Sequence, residues 1–319
     1  MGQLSSLTDH AGLIEPLRIL AVWSPSSNTM DSLRFAAWLG RTTPIEIQVA
    51  STLIHPWGQA SLSKLGGKYK KWLKEQTDAV AEVTKDALAD AGIDKQYWAE
   101  EYSILLEGSN RPQLLTDAAA RFGADLILLN AHHGASKHRI LAGTTADALL
   151  HYSPVTVGMP PRHAKLSKHG VTRVSFGYTE EGGTHDDPAL HTAARIATRW
   201  NVPLRILAFS PDGLVRAPMN DRLDVAKELA QEWREKSLGL LDLARDKVLE
   251  SYPALEVTAE LGSGLGWKGA VDSLKWKKGD LMLLGSTPLG PFTRVFIGST
   301  AKELLPHLKI PVLIHPTAE

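Results

Sequence analysis

Asp125-Leu126-Ile127-Leu128-Leu129-Asn130 returns later in the chain as Asp280-Leu281-Met282-Leu283-Leu284-Gly285. Thirteen residues beyond Asn130 stands Gly143-Thr144, and thirteen beyond Gly285 stands Gly298-Ser299. Farther on, Ser153-Pro154-Val155-Thr156-Val157 is echoed by Ile310-Pro311-Val312-Leu313-Ile314. A short, unbroken aliphatic run is the pattern of a strand buried on both faces of a parallel sheet. Its return with the same downstream spacing implies a duplicated unit.

Outward from these runs, strands and helices alternate. Leu17–Val22 reads as a first strand that Trp23-Ser24-Pro25-Ser26-Ser27-Asn28 cannot continue. The spacing predicts a helix over Met30–Leu39 with Leu33, Ala36, Ala37 and Gly40 facing inward. Ile45–Ala50 alternates, as a strand near a solvated edge does. His55–Gly67 is turn-rich, Lys68–Ala91 helical, Ser103–Leu106 a strand and Arg111–Phe122 a helix, and Val155–Val157 closes the unit. Gly158–Gly170 reads as a linker, which sets domains at residues 1–160 and 161–319. The order then repeats, with strands at Val171–Phe176, Leu204–Ala208, Leu255–Ala259, Asp280–Leu284 and Val312–Ile314. Helices fall near Pro188–Trp200, Asp221–Val248, Trp267–Trp276 and Ser299–Leu308.

A chain of 319 residues exceeds what one core usually supports. Lys plus Arg and Asp plus Glu each number 35, so no net field draws the chain onto nucleic acid or an anionic membrane. Lys64, Lys68, Lys70, Lys71 and Lys74 read as the wet start of a long helix, with a phosphate-binding surface as the alternative. There is no cysteine, which excludes disulfides, thiolate nucleophiles and cysteine-held metals. The amino terminus lacks signal-peptide character, and no apolar run approaches the roughly 20 residues of a membrane span. The cytoplasm is the expected compartment.

The segment Gly285–Thr300 leaves a buried strand and ends at a helix start. Glycines there let the backbone approach an anion, and free amides with the Ser299 and Thr300 hydroxyls suit phosphate oxygens. The plainer reading is a turn whose glycines serve geometry and whose hydroxyls cap a helix. Neither a P-loop nor a dinucleotide fingerprint is present.

This segment, its repetition and the element order of each half resemble the universal stress protein family in its tandem form. That family's signature is glycine, two residues, glycine, nine residues, then glycine with serine or threonine. The second copy supplies Gly285, Pro288 and Gly298-Ser299; the first supplies Asn130, His133 and Gly143-Thr144. The resemblance implies two Rossmann-like (adenine nucleotide alpha hydrolase-like) domains in tandem. Each would be a parallel five-stranded sheet of order 3-2-1-4-5, the two facing each other as an intramolecular pseudo-dimer. Their last strands would cover each other's edges. It implies ATP or AMP as the nucleotide, with Gly262, Ser263, Gly285, Ser286, Thr287, Gly290, Gly298, Ser299 and Thr300 lining the second domain's pocket. ATP-binding members usually carry an aspartate after the first strand; here Val22-Trp23-Ser24 and Phe176-Gly177-Tyr178 stand there, and Trp23 or Tyr178 either stacks on a base or fills its place.

The expected role is stress-related, regulatory or protective. The alternatives are a protein-interaction module with closed pockets, meeting an unidentified partner or a second copy, and a weak nucleotide hydrolase, for which no general base or magnesium ligand is evident. His132, His133 and His138 read as an exposed polar loop rather than a zinc site, because sequence neighbours diverge on extended backbone, with phosphate contact by His133, Lys137 and His138 as the alternative. Asp187 before Pro188 reads as a helix cap. Arg294 beside Phe292 and Phe296 reads as a ligand or partner contact or a snorkelling side chain. Trp38, Trp200 and Trp276 read as packing residues.

Overall fold

The recurring runs occupy equivalent strands in a computed structural model. It describes residues 15–27, 29–55, 65–178, 187–213, 225–288, 295–296 and 299–316. The first half runs β1 (Leu17–Val22), α1 (Asp31–Gly40), β2 (Ile45–Ile54), α2 (Gly66–Asp90), a 3-10 turn (Lys95–Tyr97), β3 (Trp98–Gly108), α3 (Arg111–Phe122), β4 (Leu126–Leu128), α4 (Thr144–Tyr152) and β5 (Thr156–Met159). The second runs β6 (Arg173–Gly177), α5 (Pro188–Arg199), β7 (Leu204–Asp212), α6 (Val225–Ser251), β8 (Val257–Leu265), α7 (Gly266–Asp272) and β9 (Asp280–Pro288). It ends with β10 (Val295–Phe296), α8 (Ser299–Leu304), a 3-10 turn (Leu305–His307) and β11 (Val312–Pro316).

Ten strands form one continuous sheet in the order β3-β2-β1-β4-β5-β11-β9-β6-β7-β8, with β10 hung antiparallel on β9. This corrects the expectation of two discrete parallel five-stranded sheets of order 3-2-1-4-5 facing each other. The sheet is single and mixed, because β5 and β11 pair antiparallel, with Leu313 opposite Gly158 and Ile314 opposite Val157. The physical reason is edge satisfaction: each half ends on a strand with one open row of amides and carbonyls, and each row is the other's partner. Gly158 therefore belongs to β5 and not to a linker. A Cβ there would stand 2.5 Å from Leu128 Cδ2 and 2.9 Å from Leu313 Cδ2, so only glycine fits.

Neighbouring residues of each central strand feed opposite faces. Ile19 and Ala21 pack with α1, α2, α5 and α6 on one side; Leu20 packs with α3, α4, α7 and α8 on the other. Both apolar layers run through both halves. Ile45–Ala50 is not at an edge: β2 lies between β1 and β3, and even Gln48 and Ala50 are buried. The helix expected over Trp267–Trp276 stops at Asp272, and Trp276 Nε1 donates back to the Val271 carbonyl (2.8 Å). That expected over Ser299–Leu308 tightens to a 3-10 turn at Leu305, next to Pro306, which lacks an amide to continue an α-helix. The segment joining the halves is pinned, since the Val171 amide donates to Thr42 Oγ1 (2.7 Å) and the His163 amide to Asp31 Oδ2 (3.0 Å).

Candidate functional site

Open parallel sheets bind ligands beyond the carboxyl ends of their strands, where the strand order reverses. Each half has one such place, between β1 and β4 and between β6 and β9.

In the first half this crevice is filled by the chain itself. The Ser32 amide in the first turn of α1 donates to Asn130 Oδ1 (2.8 Å). The Ser32 hydroxyl donates to the Val22 carbonyl (3.0 Å), which also accepts from Asn130 Nδ2 (3.4 Å). Trp23 is buried, held by the Ser51 hydroxyl on its carbonyl (2.7 Å). Its indole N–H has no partner among the described residues. The His132 ring closes over the glycine before α4: a Cβ on Gly143 would meet its Cδ2 at 3.0 Å. His132 Nδ1 accepts from the Gly134 amide (3.1 Å), and its ring lies 4.1 Å from that of His133, tilted by 39°. Among the described residues no three His, Asp or Glu side chains converge as a metal site would need.

In the second half the same positions carry smaller groups. Gly285 replaces Asn130 at the strand end, and a Cβ there would come within 2.9 Å of the Ala189 Cβ. The α5 amide that matches Ser32 belongs to Ala189, and it donates to Asp187 Oδ1 (2.7 Å), the cap read from sequence. Tyr178 is buried edge-on to Phe176 at 5.0 Å. Burial first, and the Asp187 charge second, push its phenol above the ordinary value and keep it neutral.

The structure does not bring all the expected pocket residues together. Two strands, β6 and β7, separate Gly262 and Ser263 on β8 from Gly285 on β9, about 14 Å at ~4.8 Å per strand. Gly262 is small for packing, since a Cβ would stand 2.6 Å from the Ala270 carbonyl oxygen. Ser263 is engaged by α6 and α7: its hydroxyl accepts from Arg234 Nη1 (3.3 Å), and its amide donates to Ser273 Oγ (3.1 Å). Ser286 lies in the β9–β11 ladder opposite Pro316, and Thr287 opposite Phe296 of β10. Ser299 and Thr300 open α8. Gly290, Gly298 and Arg294 lie outside the described residues. The reading from sequence missed β10, which runs beside α4 of the other half.

The sequence matches the Universal stress protein family over residues 17–159 and again over residues 175–316. The chain belongs to that family. It is similar to the universal stress protein Rv2319c of Mycobacterium tuberculosis, with 27% identity over 288 residues, 89% of this chain and 94% of the relative. The Mycobacterium bovis protein Mb2346c matches to the same extent. A universal stress protein structure from Archaeoglobus fulgidus has a TM-score of 0.61 at 18% identity, covering 94% of this chain and 98% of that one. The two universal stress protein repeats thus form an intramolecular pseudo-dimer joined through β5 and β11. No helix among the described residues is long and apolar enough to cross a membrane.

Proposed function

We propose that this tandem universal stress protein serves a regulatory or protective stress response in the cytoplasm, with its functional boundary between residues 160 and 161. Its second half is the one that contacts ATP or AMP. The observation behind this choice is the difference at the two strand ends. Asn130 spends its side chain on the first-helix amide, whereas Gly285 offers only backbone. Backbone amides near Gly285 and at the Ser299–Thr300 helix start suit phosphate oxygens. Native mass spectrometry of the protein as purified tests the reading. A retained adenine nucleotide, and a thermal shift with ATP that Gly298→Asp abolishes, are the expected results.

A second reading, an interaction protein with closed pockets, draws support from buried Tyr178 and from the Asp187 cap. It takes over if no nucleotide is retained and excess ATP or AMP leaves the melting temperature unchanged.

A further inference from the structure

At the opposite pole, where β6 and β9 begin, a cleft of about 590 Å³ opens between the connecting segment and the turn entering β9. Leu166, Ser167, Lys168 and Thr172 line one side, and Lys277 and Lys278 the other. The two sides are stitched together by backbone. The Ser167 amide donates to the Lys278 carbonyl (2.9 Å), and the Thr172 and Arg173 amides share the Gly279 carbonyl (2.8 and 3.2 Å). The lysine Cα positions are therefore fixed relative to each other, while their side chains are exposed.

Among the described residues no carboxylate lines this cleft. Asp280, the acid beside it in sequence, is fully buried and accepts from Arg173 Nε (2.9 Å), Arg173 Nη2 (2.7 Å) and the Lys277 amide (2.8 Å). Three exposed lysines, Lys168, Lys277 and Lys278, thus line one cavity on a chain whose formal net charge is zero. Like charges gathered in this way repel, and a multiply charged anion between them relieves that repulsion with charge-assisted hydrogen bonds. The volume lies in the range of small-molecule sites, about 300–1,000 Å³. Among the described residues no aromatic platform for bases lines the cleft, which argues against single-stranded nucleic acid.

We infer that this cleft binds a small polyphosphate anion, the chemistry shared by inorganic tripolyphosphate and the phosphate tail of a nucleoside triphosphate. Isothermal titration of the full chain with tripolyphosphate at about 0.15 M salt is the test. One saturable site is expected. Lys277→Glu with Lys278→Glu should weaken it at least about tenfold, while Lys70→Glu with Lys71→Glu on α2 should change it less than about twofold. Competition by ATP assigns the site to a nucleotide tail, and its absence assigns it to the inorganic anion. An unsaturable wild-type titration, or equal losses from the two double variants, overturns the inference. So does loss of tripolyphosphate binding in Gly298→Asp, a variant aimed at the other pole, so this site and the nucleotide reading fail separately.

Discussion

At the amino pole of the first half, Gln48 of β2 is buried and donates to the Glu101 carbonyl (2.8 Å). The equivalent position in the second half, fixed by the matching registers of Ile19 with Ile47 and Val174 with Leu204, is Arg205. Arg205 has no exposed surface. Its guanidinium lies over Trp276 at 4.6 Å, donates to Ser175 Oγ (3.3 Å) and the Lys275 carbonyl (3.0 Å), and reaches Asp280 at 3.6 Å. Burial first, then the neighbouring Arg173 charge, pull Arg205 below the usual arginine value, against Asp280 and Glu260. In the first half, Arg18 keeps 41% of its side chain exposed and pairs with Glu46 at 3.1 Å. One slot in one fold thus takes a neutral amide or a buried cation. The cation is tolerated because a carboxylate is buried beside it, which makes the second half depend on Asp280 as the first does not depend on Asp125.

That contrast is broken most severely by Asp280→Ala. It leaves Arg205 without its buried carboxylate, with only the partly exposed Glu260 at 3.7 Å, and should cost about 3–5 kcal/mol in urea unfolding. Asp125→Ala should cost about 1–2 kcal/mol, because it removes the acceptor of the Arg18 amide (2.9 Å) and leaves the Arg18–Glu46 pair in place. Equal losses would contradict the comparison.

Next in size is the seam. Gly158→Leu should cost about 3 kcal/mol by overpacking against Leu128, Leu313 and Phe35. The α5 residue that matches Phe35 is Thr192, the smaller side chain on the half that carries Leu313. Adding Phe35→Thr to Gly158→Leu should therefore recover part of the loss, and a strictly additive double variant would exclude this compensation.

His315 of β11 hydrogen-bonds Thr156 Oγ1 through Nδ1 (3.0 Å), and the first half has Pro160 in its place. Burial, and secondarily the Arg195 charge, lower its pKa to about 4. The unfolded chain takes up this proton first, so the stability is fully present above about pH 6.5 and is lost as pH falls to about 4. The loss should reach about 2 kcal/mol once solvent screening is discounted. Stability of His315→Gln against pH should show a shallower decline over that window.

The smallest effects belong to the two helix starts. Asn130→Ala and Asp187→Ala should each cost about 1 kcal/mol and should add. Non-additivity in chemical denaturation would show that the two strand ends are coupled.

Much of this was legible in the chain. Leu126 and Leu281 occupy equivalent strands because a run of large aliphatic residues has one low-energy place in a covered sheet. The Asp187 cap was readable from Asp before Pro. The resemblance implies that the last strands cover each other's edges, and β5 does pair with β11; their fusion of both halves into one mixed sheet was harder to read, because Val312–Ile314 reveals only that it is apolar. Nothing in the strand Leu204–Ala208 marks Arg205 as buried, and only the tertiary approach of Asp280 and Trp276 makes its burial tolerable. β10 spans only two residues, too short for periodicity to register. At the candidate site, Gly262 and Ser263 were assigned to the pocket from their place after the third strand. Their turn toward α6 and α7 depends on Ala270, Ser273 and Arg234, all remote in sequence or on another element.

The pairing of Leu313 with Gly158 brings corresponding residues of the repeats face to face, on the line about which one repeat maps to the other. A symmetric ancestor would have set like against like at this point. Here one repeat has surrendered its side chain and the other has grown into the space, so neither edge suits a replica of itself. Two leucines would collide and two glycines would leave a hole, which ties each repeat to its sibling and makes the fusion difficult to reverse by descent.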